Sequence, residues 1–150
     1  MEIVKRFSSL CKNRKTLLLK INETICGRVS YTNNTNTTII SNLYVDPSYR
    51  KGGYATKLLQ EAEKTAISDK ITEKSQLNLT KIYNFKLCAW DPTDKPHLVS
   101  FYKKRGYIID PTHCTHYYDD KDRIFELVKM SKEKSIDHFN DPTYTVYKKR

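Results

Sequence analysis

Short apolar runs separated by polar stretches divide the chain into strand-sized and helix-sized pieces. Thr16 to Ile21 (TLLLKI) and Thr24 to Tyr31 (TICGRVSY) read as strands, and Asn22-Glu23 between them predicts a tight hairpin. Thr38 to Val45 (TIISNLYV) alternates, which predicts a strand with Ile39, Ser41, Leu43 and Val45 on one face. From Gly52 or Gly53 to about Ile67 the period changes. Ala55, Leu58, Leu59, Ala62 and Ala66 form a helical stripe that would pack on a sheet. Ser68 to Asn84 holds no single period; a helix end, a loop and an extra short strand all fit. Phe85 to Trp90 reads as a strand, Pro96 to Arg105 as a helix closed by Gly106, and Tyr107 to Ile109 as a short strand. Ile124 to Met130 is a further strand, and Tyr144 to Tyr147 suits a last one. Glu2 to Phe7 fits a first strand. An antiparallel start followed by strand-helix-strand-helix-strand predicts a mixed α/β (α+β) fold. It would occupy residues 1–132 as a single domain, with 133–150 as a C-terminal extension.

At 150 residues, 38% of them hydrophobic, the chain suffices for one domain with a real core. No run approaches the roughly 20 apolar residues of a membrane span, and the N-terminus lacks a signal-like apolar core. The expected location is therefore cytoplasmic, with no membrane partner. Cys11, Cys26, Cys88 and Cys114 are scattered, so a disulfide framework is not expected. Cys26 and Cys88 fall in strand-like runs, where a small buried thiol is common. The formal net charge of +10 suits a polyanionic ligand. No nucleic-acid motif accompanies it, which disfavours a nucleic-acid partner. His113, Cys114 and His116 are too few ligands for a metal site.

The chemistry concentrates in Leu43 to Leu59 (LYVDPSYRKGGYATKLL). An apolar strand ends, a turn follows through Asp46 and Pro47, and Arg50-Lys51-Gly52-Gly53 leads straight into a helix. Glycines let backbone approach a ligand closely. The free N–H groups of a first helical turn attract an anion, a polyphosphate above all.

Val45-x-Pro47-x-x-Arg50-x-x-Gly53-x-Ala55 resembles the acetyl-CoA-binding segment of the GNAT N-acetyltransferase superfamily. Ser100-Phe101-Tyr102-Lys103-Lys104-Arg105-Gly106-Tyr107 resembles that family's later FYxxxGF segment. The resemblance spans Thr38 to Ile109 and the Ile124 to Met130 strand. It implies a GNAT-like, mostly antiparallel central sheet with flanking helices and a splayed strand pair holding acetyl-CoA. Arg50, Lys51, Gly52, Gly53, Tyr54 and Ala55 would bind the CoA pyrophosphate. Leu43, Tyr44 and Val45 would run beside the pantetheine, with the Val45 N–H polarising the thioester carbonyl. Tyr102 would be the general acid for the departing thiolate. The activity implied is acetyl transfer from acetyl-CoA to a primary amine by direct attack. The alternative is a non-catalytic GNAT-like module that binds acyl-CoA or nucleic acid.

The chain also departs from the family pattern. The strand TIISNLYV lacks the carboxylate that often serves as general base. His97, His113, His116, Glu126 and a water relay all remain candidates. Asp94, Lys95, Pro96 and His97 stand where the family often has Asn; His97 would cap the helix or face the cofactor. Too few residues precede the fourth strand for the usual two helices, so the N-terminal helical region is shortened. The acceptor cleft is then open, or completed by the C-terminal tail, or by a second copy in a homodimer. Thr112 to Asp122 would form a loop bordering the acceptor. Its Asp119, Asp120 and Asp122 would attract a cationic amine between walls of Tyr117 and Tyr118.

Overall fold

The computed structural model describes residues 1–7, 13–74, 80–94, 96–112 and 116–137. Expectations for Cys11, Lys95, His113, Cys114, the Asp120 side chain and the Tyr144–Tyr147 strand fall outside these residues.

The described strands are β1 (Glu2–Phe7), β2 (Arg14–Ile21), β3 (Thr24–Asn33), β4 (Thr38–Val45), β5 (Thr80–Pro92), β6 (Ile108–Ile109), β7 (His116–Asp120) and β8 (Arg123–Asp137). They form one sheet in the order β1-β2-β3-β4-β5-β8-β6, with β7 also paired to β8. Every pairing is antiparallel except β4 with β5. Helix α1 (Tyr54–Lys74) and the short α2 (Leu98–Lys103) complete the α+β fold. β1 pairs directly with β2, Phe7 opposite Lys15, and too few residues lie between them for the usual helical pair.

Local sequence explains much of this. Ile21 faces Thr24, and the two residues between them, Asn22 and Glu23, both have positive φ (49° and 66°). That is the geometry a two-residue hairpin needs to match strand twist. Leu58, Leu59, Ala62 and Ala66 are fully buried along α1. Each of the two leucines contributes roughly 1.5–3 kcal/mol by leaving water.

Helix α1 continues to Lys74, past the expected end near Ile67. Ile71 extends the apolar stripe, and Asp69 faces inward to a cationic cluster. Its carboxylate accepts from Lys5 Nζ (2.8 Å), Lys15 Nζ (2.9 Å) and the Tyr31 hydroxyl (2.5 Å). Three strands are thereby tied to the helix, and tertiary contact overrides the weak helix propensity of Ser68-Asp69. Burial pushes the Asp69 pKa up, but the Lys5, Tyr31 and Lys15 hydrogen bonds outweigh it and hold the carboxyl below its ordinary value. A second tie crosses the far side of α1. Buried Glu63 accepts from the Tyr107 hydroxyl (2.8 Å) and from Lys132 Nζ (2.9 Å).

Four further expectations are corrected. The predicted face of β4 is broken: Thr38, Ile40 and Val45 are buried while Ile39 is exposed. The cause is a bulge. Ser41 faces Ser30 and Tyr44 faces Arg28, so Asn42 and Leu43 together oppose Val29. Asn42 takes positive φ (54°), a conformation Asn tolerates better than most residues. Second, β5 and β8 form a much longer ladder than predicted, from Thr80–Asp137 to Pro92–Phe125. Third, the expected Thr112–Asp122 loop contains β7, which returns to β8 through Lys121-Asp122, with Lys121 at φ 56°. Fourth, Cys88 is exposed; among the described residues Cys26 is the buried thiol, donating to Leu19 O (3.6 Å).

Candidate active site at a strand fork

β4 and β5 pair in parallel only at Thr38–Phe85 and Ile39–Lys86. Beyond that point the strands separate into a fork. On one side lies a cleft of about 560 Å³ between the end of β4, the start of α1 and α2. On the other lies a cleft of about 740 Å³ over the exposed faces of β4, β5 and β8. Leu43, Leu98 and Tyr102 line both, so the two clefts meet there.

The first cleft gathers the expected donor-binding residues. Leu43, Tyr44, Val45, Arg50, Lys51, Gly53, Tyr54 and Ala55 all line it; Gly52 alone does not. Gly53 has φ +76°, which favours glycine, and open space around its Cα. Gly52 is confined instead: a Cβ there would meet the Tyr54 ring at 2.7 Å. The Lys57 N–H closes the first helical bond, onto Gly53 O (3.2 Å). The N–H groups of Tyr54, Ala55 and Thr56 before it have no partner within the helix. The first turn carries no acidic side chain, so nothing there competes with an incoming anion for the positive end of the helix.

The strand end is also prepared. Asp46 N–H donates to Cys26 O (2.8 Å), flanking the Gly27–Val45 pair. Antiparallel ladders alternate, so the Val45 N–H points away from β3, into the fork. Arg50 Nε donates to Val45 O (2.8 Å), and its guanidinium lies over the Tyr44 ring, 5.4 Å from the centroid. Arg50 thus straps the glycine turn to the end of β4.

Tyr102 stands at the junction. It is 7% exposed and packs edge-on against Phe101 and Tyr107. Its hydroxyl makes no hydrogen bond among the described residues. Burial pushes its pKa up to about 12, so the phenol keeps its proton at neutral pH.

The helix that carries Tyr102 is held by a residue the sequence did not single out. Asp91, at the end of β5 and 2% exposed, caps α2. Its Oδ1 accepts the N–H groups of His97 (2.9 Å) and Leu98 (2.8 Å), and its Oδ2 accepts that of Val99 (3.0 Å). Burial alone would raise the Asp91 pKa; the three backbone donors outweigh it and leave the carboxyl below its usual range. His97 does not cap through its own side chain, and it lines the first cleft. Arg105 was also missed as a site residue. It donates to Thr56 Oγ1 from Nε (3.1 Å) and Nη2 (2.6 Å), and to Phe101 O from Nη1 (3.1 Å). This joins α2 to the first turn of α1 and closes the back of the cleft. Its place in the basic run Lys103-Lys104-Arg105 was the only signal.

Of the candidate bases, His116 and Glu126 line neither cleft. Nor do Tyr117, Tyr118, Asp119 and Asp122; Tyr118 packs edge-on against Trp90 instead, at 5.8 Å. Asp110 is the carboxylate that lines the second cleft among the described residues. Its Oδ1 accepts from Thr112 Oγ1 (2.6 Å) and Thr112 N–H (2.8 Å). Those two bonds hold its pKa below the ordinary value, which suits a fixed charge better than a base. No described helix is long and apolar enough to cross a membrane.

Residues 4–107 match the Acetyltransferase (GNAT) family. The fold is shared with the IAA acetyltransferase from Bacillus cereus (16% identity, 81% of this chain and 79% of that one, TM-score 0.59). It is shared with a GNAT family acetyltransferase from Elizabethkingia anophelis with acetyl-CoA bound (15% identity, 81% and 77%, TM-score 0.59). An acetyltransferase of the GNAT family from Streptococcus pneumoniae is also similar (22% identity, 83% and 67%, TM-score 0.58). No curated protein matches the chain significantly in sequence.

Proposed function

Because the chain belongs to the GNAT acetyltransferase family, we infer that it transfers acetyl from acetyl-CoA to a primary amine by direct attack. The observation that carries this reading is Tyr102: a buried hydroxyl with no described partner, at the one place where both clefts meet. The first cleft fits the donor. Its helix start offers free N–H groups without a competing carboxylate, and Arg50 and Lys51 stand at its rim. The N–H groups of Tyr54, Ala55 and Thr56 would hold the pyrophosphate, and β4 would run beside the pantetheine. Acetyl-CoA supplies an activated thioester carbonyl.

The Val45 N–H would donate to the carbonyl oxygen as negative charge develops on it, a fixed dipole that needs no reorganisation. Tyr102 would donate to the departing sulfur. With its pKa near 12 and a thiol near 8.5, complete transfer to a free thiolate would be uphill by roughly 5 kcal/mol. Tyr102 therefore stabilises the sulfur as a hydrogen-bond donor. The proton that balances the reaction comes from the attacking nitrogen, which becomes a neutral amide.

The test is release of free CoA thiol from acetyl-CoA across a panel of amines. Acceptor-dependent release is expected, with Tyr102→Phe lowering kcat about 100-fold at unchanged KM for acetyl-CoA. Acetyl-CoA binding without release for any amine would instead identify a non-catalytic acyl-CoA module.

A further inference from the structure

The second cleft carries information about what it takes. Ile39 pairs with Lys86 at the closed end of the fork, and Lys129 lies two residue pairs along the β5–β8 ladder, opposite Cys88. Both lysines line the cleft, and both are exposed. Asp110 is the one carboxylate lining it among the described residues. It lies 3.9 Å from Lys86 Nζ, and its other oxygen is committed to Thr112. Among the described residues that line the cleft, two lysines stand against one aspartate, a net positive lining. Trp90, 46% exposed, and Ile39, 43% exposed, add apolar wall. The reacting end is fixed by Tyr102 and Leu43, so the cations sit at the end away from the chemistry.

We propose that the acceptor is a small primary amine that carries its own anionic group, a carboxylate or phosphate, seated between Lys86 and Lys129. This rests on the acetyltransferase reading and adds the substrate class to it. A cleft of about 740 Å³ falls within the usual small-molecule range. A polycation would meet two like charges here, in addition to the chain's net +10. An amino acid or an amino-sugar phosphate places its amine toward Tyr102 while its acid neutralises the far end.

The experiment uses matched pairs: phenylalanine against phenylalanine amide, glucosamine 6-phosphate against glucosamine, with spermidine as the polycation. Binding to the CoA-saturated protein is measured by calorimetry, and thiol release is followed separately. At least one acid-bearing member should bind ten times or more tighter than its neutralised partner. Lys86→Gln with Lys129→Gln should remove that difference without changing CoA affinity. Equal binding within each pair, tighter binding of spermidine, or a preference that survives the double variant would each overturn the proposal. Preferential binding of the acid without thiol release would keep the anion seat between Lys86 and Lys129 but sink the acetyltransferase reading, and with it the ligand's role as acceptor. Comparing the carboxylate and phosphate pairs assigns the anion.

Discussion

Asp91 offers the sharpest check on how this site is built. Replacing it with Ala strips acceptors from the N–H groups of His97, Leu98 and Val99 at 2.8–3.0 Å. Hydrogen bonds to a charged group are worth roughly 1.5–3 kcal/mol each, but His97 is exposed and water can refill part of the deficit. Loss of a helix cap alone costs about 0.5–2 kcal/mol. Between these bounds we expect about 3 kcal/mol for Asp91→Ala. For Asp91→Asn we expect about 1.5 kcal/mol, because one amide oxygen can still serve two of the donors. At roughly 2–4 °C per kcal/mol for a chain of this size, the Ala variant should melt about 6–12 °C lower. Thiol release should fall at least tenfold, since α2 carries Tyr102 and small misplacements are costly. The pH dependence has a definite sign. The Asp91 pKa is depressed in the fold, so its contribution is complete above the unfolded value of about 3.9 and lost as pH falls through the lower, folded one. The gap between wild type and Asp91→Asn should therefore be constant from pH 7 to about 5, and close below about 4. An Asp91→Ala protein that melts within 2 °C of wild type and keeps full thiol release would refute the argument. The packing of Leu98, Val99 and Phe101 would then suffice to hold α2.

Gly53→Glu would set a carboxylate at the helix start, where roughly 3 kcal/mol of like-charge repulsion should weaken acetyl-CoA binding about 100-fold by calorimetry. Gly53→Ala, which adds only backbone strain, should cost far less. Because Tyr102 keeps its proton up to about pH 12, kcat should not fall between pH 9 and 10.5; a loss centred on pH 10 would show an ordinary, solvated phenol. Asp69→Ala should destabilise the protein by about 3 kcal/mol, since it removes the carboxylate that Lys5, Lys15 and Tyr31 share. Chemical denaturation would measure that loss, and the KM for acetyl-CoA should stay put.

How far the sequence could be read follows from what each feature depends on. Hairpin, strand bounds of β4 and the helix start after Gly53 rest on local preferences, and these were legible. The end of α1 was not, because Asp69 is held by partners on β1, β2 and β3. The segment from Leu43 to Ala55 is contiguous in sequence, and all of its singled-out residues but Gly52 line the first cleft. Asp91 escaped because its role is to accept from α2 across a turn, and nothing in Asp91-Pro92 announces that direction. The second cleft escaped for a similar reason: Lys86, Asp110 and Lys129 meet only through strand pairing. Asp119 and Asp122, prominent in the sequence, line neither cleft.

The bulge in β4 gives the strand two allegiances. Its first half follows the sheet's pleat under α1, with Ile40 inward; after Asn42 the phase slips by one residue. That slip is what turns the Val45 N–H to the fork and its side chain to the core. Removing Asn42 would put the strand back in step and exchange those two directions. Every residue named at the donor site would still be present, and the site would be gone. The geometry of this strand end is therefore written partly in a count of residues, a property that no substitution scan would detect.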